Sequence, residues 1–125
     1  MRFLLLQGDK DSHWSAFLAE VIAPLGNLSV AFAQEWIVEK EEEPDGLIIV
    51  DATNVEQFEK LVLTLCAEKP QRRVVVMTAS PTWQRARSAF EAGAIDYLPK
   101  TLPTDELQSI FKQLLQEPLP IPDRR

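Results

Sequence analysis

The sequence predicts an α/β fold in which helices cover both faces of a doubly wound parallel sheet. Short apolar runs alternate with helix-period segments five times along the 125 residues, in the order βαβαβαβαβα. Three runs lead into polar side chains: Asp51 closes 47–50, Thr78 closes 74–77, and Lys100 follows 95–99. Because the carboxyl ends of neighbouring parallel strands meet at one edge, we expect a site there that is able to bind a phosphoryl group.

The first two units differ in the strength of their patterns. A strand is predicted near residues 2–8, and apolar residues at three- and four-residue spacing then indicate a helix that ends near Gly26. The apolar face of that helix is formed by Trp14, Phe17, Leu18, Val21, Ile22 and Leu25. A second strand near 28–33 precedes the weakest unit, a short segment around Trp36 and Ile37.

The third and fourth helices have recognisable start and stop signals. Thr53 or Asn54 is the expected cap of the third helix. Ser80 is the expected cap of the fourth, with Pro81 at its first position and Gly93 as the left-handed residue after its last turn. We expect the fourth helix to point three apolar side chains inward: Trp83, Ala86 and Phe90.

The fifth helix ends the predicted domain. Its apolar face carries Leu107, Ile110, Phe111 and Leu114, and two acidic residues in its first turn suit the helix dipole. Three prolines after Gln116 exclude a continued helix. We therefore predict a domain over 1–116 and a proline-rich tail or linker start over 117–125.

Composition and charge narrow the class of protein. A hydrophobic content of 46% in 125 residues suits one domain, which buries about two-thirds of the surface of its unfolded chain. A net charge of −6 argues against direct nucleic-acid binding. No apolar stretch reaches the roughly 18 residues that span a membrane, so we expect a cytoplasmic protein without a membrane partner. The single Cys66 is expected to pack as a small hydrophobe.

The segment 92–100, Ala-Gly-Ala-Ile-Asp-Tyr-Leu-Pro-Lys, resembles the Gly-Ala-x-Asp-Tyr-Leu-x-Lys segment of response-regulator receiver domains. Thr78 followed by Ala79 is similar to the hydroxyl and small residues at the end of the family's fourth strand, and Asp51 matches its phosphoacceptor. The resemblance implies a CheY-like, flavodoxin-like (βα)5 sandwich with strand order 2-1-3-4-5. It also implies a two-component phosphorelay domain for signal transduction rather than an enzyme.

The resemblance assigns a role to each residue of the site. Asp51 would accept a phosphoryl group from a sensor histidine kinase or phosphotransfer protein, while Lys100 and Thr78 would hold the phosphoryl oxygens. Movement of the Thr78 hydroxyl would let Tyr97 turn inward as the switch. The surface of the fourth helix, fifth strand and fifth helix (α4-β5-α5 in the family's order) would then change its preference for a downstream protein or output domain.

The acidic corner of the pocket departs from the family pattern. Receiver domains place two acidic residues directly after the first strand, where they help to hold a divalent cation. Gln7 and Gly8 fill these positions when the alignment starts from the strand, whereas Asp9 and Lys10 fill them when it runs back from the end of the first helix. We favour the second alignment, which predicts a weakened Mg²⁺ site of Asp9 and Asp51 with Lys10 as a candidate charge substitute.

Two other functions stay open on the sequence alone. A pseudo-receiver would keep the fold and bind a partner without phosphorylation. A small haloacid-dehalogenase-like phosphatase would use the Asp9-Lys10-Asp11 segment after the first strand, with Thr78 and Lys100 as its partners. The chain is short for that family, and no later acidic pair follows the fourth strand.

Overall fold

The computed structural model describes residues 1–8, 13–33, 43–53 and 57–117. Its strands are β1 (Arg2–Gln7), β2 (Asn27–Phe32), β3 (Leu47–Asp51), β4 (Arg73–Thr78) and β5 (Asp96–Pro99). Its helices are α1 (His13–Ile22), α2 (Phe58–Glu68), α3 (Trp83–Ala92) and α4 (Thr104–Gln116). The predicted helix around Trp36 and Ile37 lies outside the described residues. The fourth and fifth predicted helices are therefore α3 and α4.

The strands form one sheet in the order β2-β1-β3-β4-β5, which confirms the predicted doubly wound topology. All four strand pairs are parallel. The central strands β1, β3 and β4 are almost fully buried, because helices cover both faces of the sheet. The pairing of Asp51 with Met77 places Thr78 one residue beyond Asp51 at the same edge.

Alternation of side chains along the strands divides the core into two apolar clusters. One lies on the side of α1 and α4 and includes Phe3, Leu5, Ile49, Met77, Leu98 and Phe111. The other lies on the side of α2 and α3 and includes Leu4, Val50, Val76, Phe58, Leu65 and Ala89. Each fully buried Val, Leu, Ile, Phe or Met side chain stabilises the fold by about 1.5–3 kcal/mol relative to an exposed one.

The start of α3 differs from its prediction, whereas its end is as predicted. Thr82, not Ser80, caps the helix: its hydroxyl accepts a hydrogen bond from Arg85 N at 3.2 Å, so the first helical residue is Trp83. Gly93 follows the last turn with φ 117°, in the left-handed region that the prediction required.

The inward face of α3 also differs from its prediction. Trp83 is 69% exposed and Phe90 49% exposed, while Ala89 and Ala92 are buried. Trp83 and Phe90 are seven residues apart and share one face, and Ala92 lies half a turn around the helix from Trp83. The helix therefore packs through small side chains, which bring its backbone close to the core.

The start of α2 is later than the predicted cap at Thr53 or Asn54. The helix begins at Phe58, after Gln57 in a left-handed conformation (φ 56°, ψ 41°) that provides no side-chain cap. Thr53 instead bonds to neighbouring loops, and Asn54 lies outside the described residues. A capping residue type is thus a weak guide where tertiary hydrogen bonds compete for its side chain.

No helix in the described ranges is long and apolar enough to cross a membrane. The last helix ends at Gln116, and residues 118–125 lie outside the described residues. The predicted division into a domain and a proline-rich tail therefore stays a prediction.

Arg72 joins the loop before β3 to the end of α2. Its buried guanidinium donates two hydrogen bonds to Glu43, both at 2.8 Å, and further bonds to Leu65 O at 2.9 Å and Glu68 at 3.1 Å. The hydrogen bond from Arg72 is the main cause that lowers the pKa of Glu43, and the ammonium of Lys69 adds to it. The cluster lies where β3 and β4 begin, at the opposite end of these strands from Asp51.

We predict that replacing Gly93 with alanine destabilises the fold by about 2 kcal/mol, since φ 117° is strained for a residue with a Cβ. The added Cβ would also lie 2.8 Å from Cys66 Sγ. Urea denaturation measures the free energy of unfolding. In a Cys66→Ala background the loss should shrink but persist, because the backbone strain remains; an unchanged stability of Gly93→Ala would contradict the prediction.

We predict that the Glu43–Arg72 pair makes stability depend on pH. A lowered folded-state pKa means that the contribution is complete above the ordinary pKa of glutamate and is lost as the pH falls through the folded-state value. At pH 7, Glu43→Gln should cost about 1 kcal/mol, a figure reduced for the partial exposure of this pair. The difference from wild type should narrow near pH 3, measured by urea denaturation; a constant difference would contradict the prediction.

Candidate functional site

Asp51 ends β3 with a carboxylate that is almost inaccessible to solvent. The residue is 2% exposed, and both of its carboxylate oxygens are hydrogen-bonded. Lys100 Nζ lies 2.7 Å from Oδ2, and the Thr53 backbone N–H donates to Oδ1 at 3.0 Å. A buried carboxylate requires such partners, because desolvation of an unpaired charge costs several kcal/mol.

Lys100 reaches Asp51 from the loop after β5. Its backbone N–H donates to Thr78 O at 2.9 Å, which ties the residue to the end of β4. Its side chain is 14% exposed, and Nζ also lies 4.5 Å from the centre of the Trp14 ring. The ammonium thus contacts a carboxylate and the face of an aromatic ring, both of which attract a cation.

Thr78 is fully buried beside this ion pair. Its hydroxyl oxygen accepts a hydrogen bond from Ser80 N at 3.2 Å, and no hydrogen bond joins it to Asp51 among the described residues. A hydroxyl that accepts one bond retains its own proton to donate. Thr78 is therefore available as a donor to a group bound at this edge.

In addition to Trp14, Thr53 and Arg85 make contacts near the site that were not predicted from the sequence. Thr53 Oγ1 accepts from Ala79 N at 3.0 Å, so Thr53 connects the loops after β3 and β4 while its own N–H holds Asp51. The spacing of an aspartate and a residue two positions later is typical of an Asx-turn and could have indicated this role. Arg85 donates from Nη2 to Ala52 O at 3.0 Å, and its position on a predicted helix contained no such signal.

Gln7 ends β1 at the level of Asp51, as the pairing of Leu6 with Val50 shows. Its side chain is buried, and Oε1 has no hydrogen-bond partner within the described part of the chain. The neighbour of Asp51 on β1 is thus a neutral carboxamide. Asp9 and Lys10, the residues predicted for the acidic corner, lie outside the described residues.

The described residues do not fit a Mg²⁺ site by themselves. They contain no cluster of three or more His, Cys, Asp or Glu side chains that could hold a metal ion. Both oxygens of the Asp51 carboxylate already accept hydrogen bonds. Mg²⁺ requires oxygen ligands in near-octahedral geometry, so the prediction of a site formed by Asp9 and Asp51 stays untested.

Tyr97 lies apart from the Asp51–Lys100 pair. Its ring packs against the apolar cluster on the α2 and α3 side, and its buried hydroxyl has no partner in the ranges that the structure describes. Of the predicted site residues, Asp51 and Lys100 are in direct contact, Thr78 is on the adjacent strand, and Tyr97 lies on β5 opposite Val76.

We predict that Lys100→Met destabilises the fold by about 3 kcal/mol, because it leaves the Asp51 carboxylate buried without its counter-charge. Adding Asp51→Asn should recover most of that loss. The measurement is the free energy of unfolding in urea, with the exposed Lys60→Met as the matched control. Equal effects of the two lysine substitutions would refute the role of the ion pair.

Comparisons with known proteins agree on the architecture. No protein-family model matches the chain, and no curated protein matches it. Many solved structures do. The BeF3-activated DrrB receiver domain is 19% identical with a TM-score of 0.78, covering 94% of this chain and 99% of its own. A response regulator from Thermotoga maritima is 25% identical with a TM-score of 0.76, covering 94% and 100%.

A CheY-like receiver domain protein from Methanospirillum hungatei JF-1 is 19% identical with a TM-score of 0.77, covering 92% of this chain and 94% of its own. All three similarities extend over nearly the whole of both chains, and the shared architecture is the five-stranded sheet of order 2-1-3-4-5. The chain therefore has the fold of the response-regulator receiver domains that its sequence resembles.

Proposed function

We propose that this chain is a receiver domain of a two-component signalling pathway and that Asp51 accepts the phosphoryl group. The observation that carries the proposal is the ion pair of Asp51 with Lys100 at the carboxyl edge of the sheet, beside the Thr78 hydroxyl. A nucleophile can attack the phosphorus, and a cation and a hydroxyl donor can stabilise the charge on the transferring oxygens. The likeness to a BeF3-activated receiver domain supports the same function.

In the proposed transfer, an Asp51 carboxylate oxygen attacks the phosphorus of a phosphohistidine on a sensor histidine kinase or phosphotransfer protein. The P–O bond of an acyl phosphate forms as the P–N bond breaks, and the electron pair stays on the histidine nitrogen, which takes up a proton. Lys100 moves from the carboxylate to a phosphoryl oxygen, and the Thr78 hydroxyl donates a hydrogen bond to another.

The proposed signal passes from Thr78 to the surface formed by α3, β5 and α4. Reorientation of the Thr78 hydroxyl would break its bond with Ser80 N, the residue that leads toward α3. The buried hydroxyl of Tyr97 has no partner among the described residues, so the position of its ring depends on packing and can respond to that change. A downstream protein or output domain would read the altered surface.

A second function, a pseudo-receiver that binds its partner without phosphorylation, is favoured by Gln7. A carboxamide at the level of Asp51 supplies no negative charge to attract a cation to the pocket. The apolar side chains of Trp83 and Phe90, exposed on one face of α3, would remain available to a partner in either state. The two functions differ only in whether Asp51 is modified.

Incubation with phosphoramidate, followed by intact-mass measurement, tests the proposed function. We expect one phosphoryl group on the wild type, none on Asp51→Asn, and unchanged modification of Asp105→Asn, an exposed carboxylate on α4. Thr78→Ala should slow the reaction about tenfold or more, since one donor to the phosphoryl group is lost.

The reaction is run in parallel with excess Mg²⁺ and with a chelator. Modification that requires Mg²⁺ and is lost in Asp9→Asn would support the predicted metal site of Asp9 and Asp51. An unmodified wild type under both conditions would refute phosphoryl acceptance and favour the pseudo-receiver.

A further inference from the structure

Trp14 contacts the ammonium that neutralises Asp51. Lys100 Nζ lies 2.7 Å from Asp51 Oδ2 and 4.5 Å from the centre of the Trp14 ring, so one cation joins the end of β3 to the first turn of α1. The attraction between an ammonium and the face of a ring strengthens as water is excluded. Lys100 is mostly buried, so this contact acts on a largely desolvated charge.

The position of the Trp14 ring does not depend on a hydrogen bond from its own nitrogen. Nε1 is buried and has no partner among the described residues, while the ring packs against the apolar cluster on the α1 and α4 side. A buried indole N–H without a partner costs free energy that packing and the ring-face contact must offset. Among the described residues, the polar interaction of the Trp14 side chain is the contact of its ring face with the Lys100 ammonium.

Among the described residues, the two charges that meet at this edge balance each other. Asp51 contributes one negative charge and Lys100 one positive charge, and Gln7 at the same level of β1 contributes none. The backbone bond from Lys100 N to Thr78 O fixes the start of the lysine side chain, and Asp51 and Trp14 fix its end.

We propose that Trp14 is a positioning residue that holds Lys100 on Asp51, so that Lys100 acts as the resident cation of the pocket. A held lysine keeps the carboxylate neutralised before any phosphoryl group arrives and limits its need for a divalent cation. The consequence for phosphoryl capture rests on the proposed function, whereas the holding of Lys100 does not.

Competitive labelling of lysines with acetic anhydride, read by peptide mass spectrometry, tests this inference on the full chain. Lys60 and Lys112, both exposed on helices, serve as internal references. In the wild type we expect Lys100 to react at least tenfold more slowly than the references. Trp14→Leu should raise its relative rate about tenfold, and Trp14→Phe, which keeps a ring face, should restore most of the protection.

Trp83→Leu is the matched control, because Trp83 is exposed and lies on another helix. Its Lys100 labelling should equal that of the wild type, and excess Mg²⁺ should leave the wild-type protection in place. Unchanged protection in Trp14→Leu, or equal loss in Trp14→Leu and Trp14→Phe, would overturn the inference, as would release of Lys100 by Mg²⁺.

The same variants treated with phosphoramidate separate this inference from the proposed function. Protection of Lys100 by Trp14 without any phosphorylation would leave the inference standing and refute phosphoryl acceptance. Normal phosphorylation of Asp51 in a wild type whose Lys100 is unprotected would support phosphoryl acceptance and refute the inference about Trp14.

Discussion

The buried carboxylate of Asp51 is the constraint on which the arrangement of this edge depends. Its charge lies at the end of an apolar strand, between the buried Val50 and Ala52 in sequence, where an unpaired anion is strongly unfavourable. Three separate segments meet it: the turn at Thr53, the loop after β5, and the first turn of α1 through the lysine. Each is distant from the others in sequence, and the parallel strand order brings them together.

Alternation along the strands separates the site into two halves. Ile49 and Met77 belong to the cluster on the α1 and α4 side, whereas Val50, Val76 and Tyr97 pack with α2 and α3. Asp51 and Lys100 therefore lie on the side of α1, while Tyr97, the predicted switch, lies on the side of α3. Thr78 follows Met77, so alternation along β4 places it on the opposite side of the sheet from Met77, at the same edge as Asp51.

Much of the fold could be predicted because strand pattern and topology are strongly determined by burial. The five strands and the contact of Asp51 with Lys100 follow from apolar runs and from parallel pairing. The orientation of α3 could not be predicted, since its sequence places large apolar residues on one face and alanines on the other. Hydrophobicity alone favours burial of the Trp83 and Phe90 rings. The helix backbone instead packs close to the core, and only small side chains such as those of Ala89 and Ala92 fit between them.

The contacts of Thr53, Arg85 and Trp14 illustrate a second limit. Each depends on a side chain reaching an atom far away in the sequence, which no local period encodes. The proximity of Asp51, Thr78 and Lys100 could be predicted because their residue types are restricted and their positions at strand ends are regular. A tryptophan at an apolar position of an amphipathic helix is ordinarily explained by packing against the core. The sequence therefore gives no sign that its ring also contacts a cation.

The alanine packing of α3 also has a mechanical meaning. Interlocked side chains are what resist the sliding of a helix over its support, and Ala89 and Ala92 project only a methyl group each. A helix seated on such shallow ridges can shift along the core with few rotamer changes. α3 is therefore held against the core with little interlocking of side chains, and the exposed rings of Trp83 and Phe90 lie on its outer face.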